Sequence, residues 1–172
     1  SAVLESVGIT QGAGITQAGV RTGIDGTARE LPSGLQYVFA DPGFFAAVGL
    51  PVTVGRTFEA AEAATWDVVA VSESLGKFIA DGGNPIGHHI ADWESNFRQV
   101  TQGQAPRFSP EIIGVVPDLI TNVNATEPLV VYHPLGRPVT VGLSGTTLYL
   151  RAAGDPRAAI REAVAAVKAL DP

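Results

Sequence analysis

Residues 40–58 read Ala40-Asp-Pro-Gly-Phe-Phe-Ala-Ala-Val-Gly-Leu-Pro-Val-Thr-Val-Gly-Arg-Thr-Phe58, and their order spells a helix, a chain reversal and a strand. Asp41 has the short acceptor side chain suited to a helix N-terminus. Pro42 fits the first helical position, where a missing N–H costs nothing. Phe44, Phe45 and Val48 follow at helical spacing and share a face. Gly49 stands where a helix ends on a left-handed residue. Leu50 to Val54 alternates like a short strand, and Gly55-Arg56 turns the chain.

Other strand and helix signals extend outward from this block. Gly34 to Phe39 predicts a strand running into the Asp41 cap. Residues 1–34 are rich in Gly and Thr and carry a short repeat, Gly8-Ile-Thr-Gln11 and Gly14-Ile-Thr-Gln17. Two copies of four residues do not make a solenoid, so they predict a strand, a loop and another strand. Val3, Val7 and Ile9 are candidates for a core face, and Val20, Thr22 and Ile24 alternate. Glu59 to Ala64 predicts a short helix. Val68 to Val71 predicts a strand buried on both faces. Ser72 is the expected cap of the next helix, with Leu75, Phe78 and Ile79 on one side. Gly82-Gly83 and Asn84-Pro85 end that helix. Ile112 to Val116 and Leu129 to Tyr132 predict two more strands. Val139, Val141 and Leu143 alternate before Ser144-Gly145 and Thr146 to Ala152, a hairpin pattern. Asp155 and Pro156 open a last helix whose stripe of Ile160, Ala163, Val164, Val167 and Leu170 is expected to lie on a sheet. Strands and helices interleave irregularly. The expected fold is α+β, a mixed β-sheet with helices packed mainly on one face, built as one domain over 1–172 or as two small lobes sharing a core.

Composition narrows the function classes. Of the 172 residues, 45% are apolar, enough for a substantial core, and 16% are charged, too few for a disordered chain. The net charge of −6 disfavours nonspecific phosphate binding. Without cysteine there is neither a disulfide framework nor a thiolate metal site. The chain starts at Ser and contains no Met, as an internal or processed piece does. No apolar run approaches the ~18 residues a membrane span needs.

The text "FFAAVGLPVTVGRTF" resembles the "YFRALGIPLLRGRDF" type of segment in MacB-like periplasmic core domains, the extracytoplasmic domains of MacB/FtsX-type ABC transporter permeases. Val68 to Ile90 is similar to that family's strand, helix and "N-P-I-G" turn. Glu111 to Leu135 is similar to its "VVGVVGDV…EP…VYLPL" segment, with Pro117 where the family has Gly. Leu148 to Pro172 is similar to its strand, "GDP" cap and closing helix. Four blocks in the family's order cover most of the chain. Residues 1–34 match only through "ESV" at Glu5 to Val7, and 92–109 reads as a loop-like insert without a counterpart. The resemblance implies a noncatalytic domain without a cofactor. It also implies a cytoplasmic ATPase acting through membrane helices, and a second permease copy or a periplasmic protein as partner. An apolar patch or strand edge left uncovered in the membrane-proximal lobe is a further expectation.

Candidate chemistry is sparse. His88-His89 suggests a metal, but neighbours on a strand point to opposite faces and cannot easily share one ion. The glycines at 8, 12, 14 and 19 lack both the third Gly of G-x-G-x-x-G and any Gly-Lys-Ser/Thr, so they read as a loop. Ser72, Ser74 and Ser144 have no nucleophile-elbow setting. Asp118 sits at a strand end, where a carboxylate can be catalytic; the resemblance makes it a turn residue. Arg56 is expected to pair with a carboxylate or a strand-end carbonyl rather than a ligand anion. Trp93, Phe97 and Arg98 in the insert form the candidate interaction surface, together with Trp66; the competing expectation packs these aromatics back onto their own domain. No catalytic, cofactor or metal residue is expected. The alternative function is a small-molecule or peptide-binding module unrelated to transport, which would need an apolar pocket with convergent polar groups.

Overall fold

A computed structural model describes residues 4–15, 21–32, 34–92, 109–119, 129–136 and 146–170. Ten strands and three helices are assigned there: β1 Leu4–Ile15, β2 Arg21–Ile24, β3 Thr27–Glu30, β4 Leu35–Ala40, α1 Gly43–Val48, β5 Val54–Gly55, β6 Val68–Ser72, α2 Glu73–Ile79, β7 Ile90–Asp92, β8 Glu111–Val116, β9 Leu129–Pro134, β10 Thr146–Ala152 and α3 Pro156–Leu170. A 3-10 turn spans Ala60–Ala64. Seven strands form one sheet in the order β10-β1-β4-β9-β6-β8-β5, and three form a second in the order β3-β2-β7. The large sheet is mixed: β4 runs parallel to β9 and β6 to β8, whereas β1 is antiparallel to both its neighbours.

Side chains alternate across a strand, so each face of the large sheet gathers its own core. Leu35, Tyr37 and Phe39 of β4 join Val69, Val71, Leu129 and Val131 on one face, under Leu75 and Ile79 of α2 and Ile24 and Ile90 of the small sheet. Val38, Ala40, Ala70, Val130 and Tyr132 occupy the other face, packed on Phe44 and Phe45 of α1 with Leu50 and Phe58. The α+β class and the mixed sheet stand as read from the sequence. Of the helices, α1 and α2 cover opposite faces of the large sheet. The central strands carry near-continuous apolar runs, and each face of such a run needs a cover.

The helix of the block at 40–58 folds as its text predicts. Pro42 already has helical angles (φ −59°, ψ −28°), so Asp41 is the residue outside the helix. Its Oδ1 accepts the Phe44 N–H at 2.9 Å and also the Ile9 N–H of β1 at 2.8 Å. Gly49 is left-handed, with φ 72° and ψ 35°. Its N–H bonds to Ala46 O at 3.2 Å, and the Leu50 N–H to Phe45 O at 2.7 Å, the paired bonds of a Schellman ending. The strand after it is shorter than expected, only Val54–Gly55 against β8. Pro51 lacks an N–H to give, and the ladder begins with Thr53 N–H bonding to Val115 O at 2.8 Å. Gly8 lets β1 and α1 touch, because a Cβ there would collide with the Phe44 backbone.

The start of α2 is a correction. Ser72 occupies the cap position, but its side chain makes no cap bond. Its hydroxyl instead accepts the Val130 N–H at 3.0 Å, inside the sheet. The helix end is served by Asp118, whose Oδ1 accepts the Ser74 N–H at 3.0 Å. At the other end Asp81 and Gly82 both take positive φ (50° and 84°). Arg29 closes that end by donating to Ile79 O at 3.0 Å and Asp81 Oδ1 at 2.8 Å, with its guanidinium 4.5 Å above the Phe78 ring.

The last helix is a second correction. Asp155 caps it as expected, accepting the Arg157 N–H at 3.0 Å. Its aliphatic stripe is not buried: Ile160 is 58% exposed, Val164 47% and Val167 56%. The side that packs is Ala159, at 4%. Small alanines let a helix approach closely, and that side wins over the one with more apolar area. The expected hairpin at Val139, Val141, Leu143 and Ser144-Gly145, and Val20, lie outside the described residues.

Candidate functional site

The two histidines hold the small sheet to the large one. A tight turn at Asp25-Gly26, both residues at positive φ (49° and 79°), joins β2 to β3. Asp25 Oδ2 lies 2.6 Å from His88 Nδ1, and Asp25 Oδ1 accepts the His89 N–H at 2.8 Å. The Asp25 N–H in turn donates to His89 O at 3.0 Å. These bonds, led by the one from the His89 backbone, hold the Asp25 carboxyl below its ordinary range. His89 Nδ1 lies 2.9 Å from Ser109 O, a carbonyl that only accepts, so this nitrogen carries the proton. Each imidazole thereby has its Nδ1 engaged by a protein partner. Among the described residues no group of three or more His, Cys, Asp or Glu could hold a metal ion.

His133 lies elsewhere, on β9, fully buried among aromatic rings. Phe39 stacks on it with centroids 5.3 Å apart, and Tyr37 at 5.9 Å. Burial pushes its imidazole down to about 4, so it is neutral at physiological pH. Trp66 packs on Phe39 and on His133, at 5.5 and 6.2 Å, and so joins its own domain's core. Its backbone has φ 60°, unusual for so bulky a residue. Trp93, Phe97 and Arg98 lie outside the described residues, as do 93–108 of the insert and Ser144.

The serine and carboxylate candidates resolve into structural roles. Ser74 Oγ donates to Asp118 Oδ2 at 2.6 Å while the Ser74 N–H donates to Oδ1, so this pair is a helix cap built across 44 residues of sequence. Arg56 meets Glu62 through two bonds, 2.9 and 2.7 Å, as the sequence reading expected of a structural pair. The hydrogen bond to Arg56 lowers the Glu62 carboxyl, and Glu62 also accepts the Glu59 N–H at 2.7 Å. The loop expected at the glycines is corrected: Gly8, Gly12 and Gly14 belong to β1, which runs unbroken through that segment, and Gly19 lies outside the described residues.

Among the described residues, the exposed large apolar side chains lie mainly on β1, β10 and α3. Val7 of β1 sits across from Leu150 of β10, and Ile9 from Leu148. Val7 and Leu148 are 41% and 44% exposed, and Leu4 is 43%. The opposite side of β1, at Gly8 and Thr10, is buried toward α1. Among the described residues Leu4, Val7 and Leu148 leave an exposed apolar strip along the β1–β10 edge. The sequence predicts Val7 and Ile9 on a core face; Val7 is instead exposed and Ile9 half-buried, because the covered side of β1 is the one at Gly8 and Thr10, and Val3 lies outside the described residues. Arg151 of β10 was not singled out; its Nε donates to Ala47 O at 3.2 Å, a cation at the C-terminus of α1.

The chain matches no family profile and no curated protein sequence. Its fold does match solved structures. The periplasmic region of MacB from Actinobacillus actinomycetemcomitans superimposes with a TM-score of 0.65 at 16% identity, over 97% of this chain and 67% of that one. A domain of a protein assigned as a permease from Porphyromonas gingivalis gives 0.62 at 18% identity, over 98% and 71%. The extracellular domain of the ABC-type transporter YknZ from Gram-positive bacteria gives 0.56 at 13%, over 90% and 68%. Together with the ordered sequence blocks, these superpositions give the chain the fold of the periplasmic and extracellular domains of MacB-like ABC transporter permeases.

Proposed function

We propose that this chain is a noncatalytic extracytoplasmic domain of an ABC transporter permease. The observation that carries the reading is the superposition of 97% of the chain on the MacB periplasmic region. The described side chains are compatible with it: Ser74 and Asp118 form a helix cap, His88 and His89 a turn clamp, and Ser72 and His133 lie in the core. In this reading ATP is bound and hydrolysed by a cytoplasmic partner, and membrane helices carry the motion outward. The domain then moves as a stiff double-faced sheet against a second permease copy or a periplasmic partner. Among the described residues no helix is long and apolar enough to cross a membrane. The spans belong, in this proposal, to the rest of the permease.

Topology reporters fused on either side of this segment in the full-length protein test the placement. The expected result is membrane spans flanking a segment exposed outside the cytoplasm; a cytoplasmic segment overturns the reading. Coupling is tested by deleting residues 1–172 from the full permease. ATP binding by the partner should persist while ATP-driven handling of the cargo is lost, and unchanged handling defeats the proposed role.

A further inference from the structure

The exposed stripe on α3 has a charged flank. On a helix at 100° per residue, Ile160, Val164 and Val167 fall within about 60° of arc, and Arg157, Lys168 and Arg161 occupy roughly the next 60°. All three aliphatic residues are about half exposed or more, and all three cations are exposed. Ala159, the buried contact of the helix, lies on the side away from the cations. Glu162, the only carboxylate of α3, projects to the far side of the stripe. A chain of net charge −6 thus presents one helix with an apolar band edged by three cations.

We propose that this face of α3 docks on an anionic lipid surface, lying in the interface with the aliphatic stripe toward the acyl chains and the cations at the headgroups. A cationic amphipathic helix of low overall hydrophobicity has this behaviour. A second copy of the chain fits less well. Antiparallel pairing about a two-fold axis places the cationic flank of one helix against that of the other, and parallel pairing offers the cations no carboxylate. The acidic remainder of the chain opposes the approach only weakly, because charges more than ~8 Å from the surface are screened at physiological ionic strength. The inference stands on α3 alone, so its failure leaves the permease reading untouched.

Co-sedimentation with vesicles tests it. The chain should bind vesicles of mixed phosphatidylglycerol and phosphatidylcholine, bind phosphatidylcholine alone far less, and release in high salt. Replacing Arg157, Arg161 and Lys168 by Ser should weaken binding about 100-fold, roughly fivefold for each cation. Val164→Asp should weaken it at least about tenfold. Both variants should melt with the parent, since these side chains are exposed. No binding to anionic vesicles overturns the proposal, as does equal binding to both vesicle types or binding indifferent to both variants. Self-association abolished by Val164→Asp, without vesicle binding, overturns it in favour of a second copy.

Discussion

Gly49 shows how much one residue can hold. Its left-handed angles are open to glycine and poorly open to a β-branched side chain. A Cβ there also meets the Arg151 guanidinium, which is placed to donate to Ala47 O. Gly49→Val should therefore cost about 1–2 kcal/mol, from strain at the cap and from displacement of Arg151. Chemical denaturation of the variant beside Arg151→Ala is the measurement. If Arg151 shares the effect, the two changes together should cost less than their sum, because each disturbs the same contact.

Among the elements, α2 and α3 make opposite predictions to those a pattern alone suggests. Ser72 is fully buried and its hydroxyl satisfies the Val130 N–H within the sheet. Ser72→Ala leaves that N–H without this acceptor and should cost about 1–3 kcal/mol. Asp118→Ala removes an exposed cap from α2 and should cost about 1 kcal/mol, with the loss confined to that helix in hydrogen exchange. Loss of α2 protection in Ser72→Ala but not in Asp118→Ala would show that Ser72 is the cap after all. On α3, Val164→Asp should shift stability by no more than about 0.5 kcal/mol, because Val164 is exposed. Severe unfolding of that variant would mean the stripe is buried.

For the whole molecule, acid is the natural stress. His133 is held neutral by burial, with its value lowered from 6.5 to about 4. Between those values the unfolded chain takes up a proton that the folded one refuses, so stability falls as pH drops through this window. The full effect is on the order of 3 kcal/mol. His133→Phe keeps a ring in the stack with Phe39 and should flatten the stability profile over that range; an unchanged profile would assign the acid sensitivity elsewhere. Asp25 acts at lower pH. Its carboxyl is lowered, so the stability it supplies is present above its ordinary value of 3.8 and is lost as pH falls further. Asp25→Ala should loosen the β2–β3 turn in hydrogen exchange before the large sheet responds, since its bonds reach only His88 and His89.

The features legible in the sequence are those decided within a few residues. Asp41, Pro42 and Gly49 bracket α1 through bonds that span at most a helical turn. The apolar runs at Val68 to Val71 and Ile112 to Val116 mark central strands because burial on both faces leaves no place for a polar residue. The order of such blocks also carried the family resemblance that the superpositions match in fold. Long-range pairings were not legible. Whether Ser72 faces Val130, Asp118 reaches Ser74, or Arg29 meets Asp81 depends on strands brought together across dozens of residues, and many local patterns are compatible with each. The exposed stripe of α3 has the same origin. Periodicity fixed which residues share a face, while the packed neighbours decided which face was buried, and close approach through Ala159 left Ile160, Val164 and Val167 facing outward.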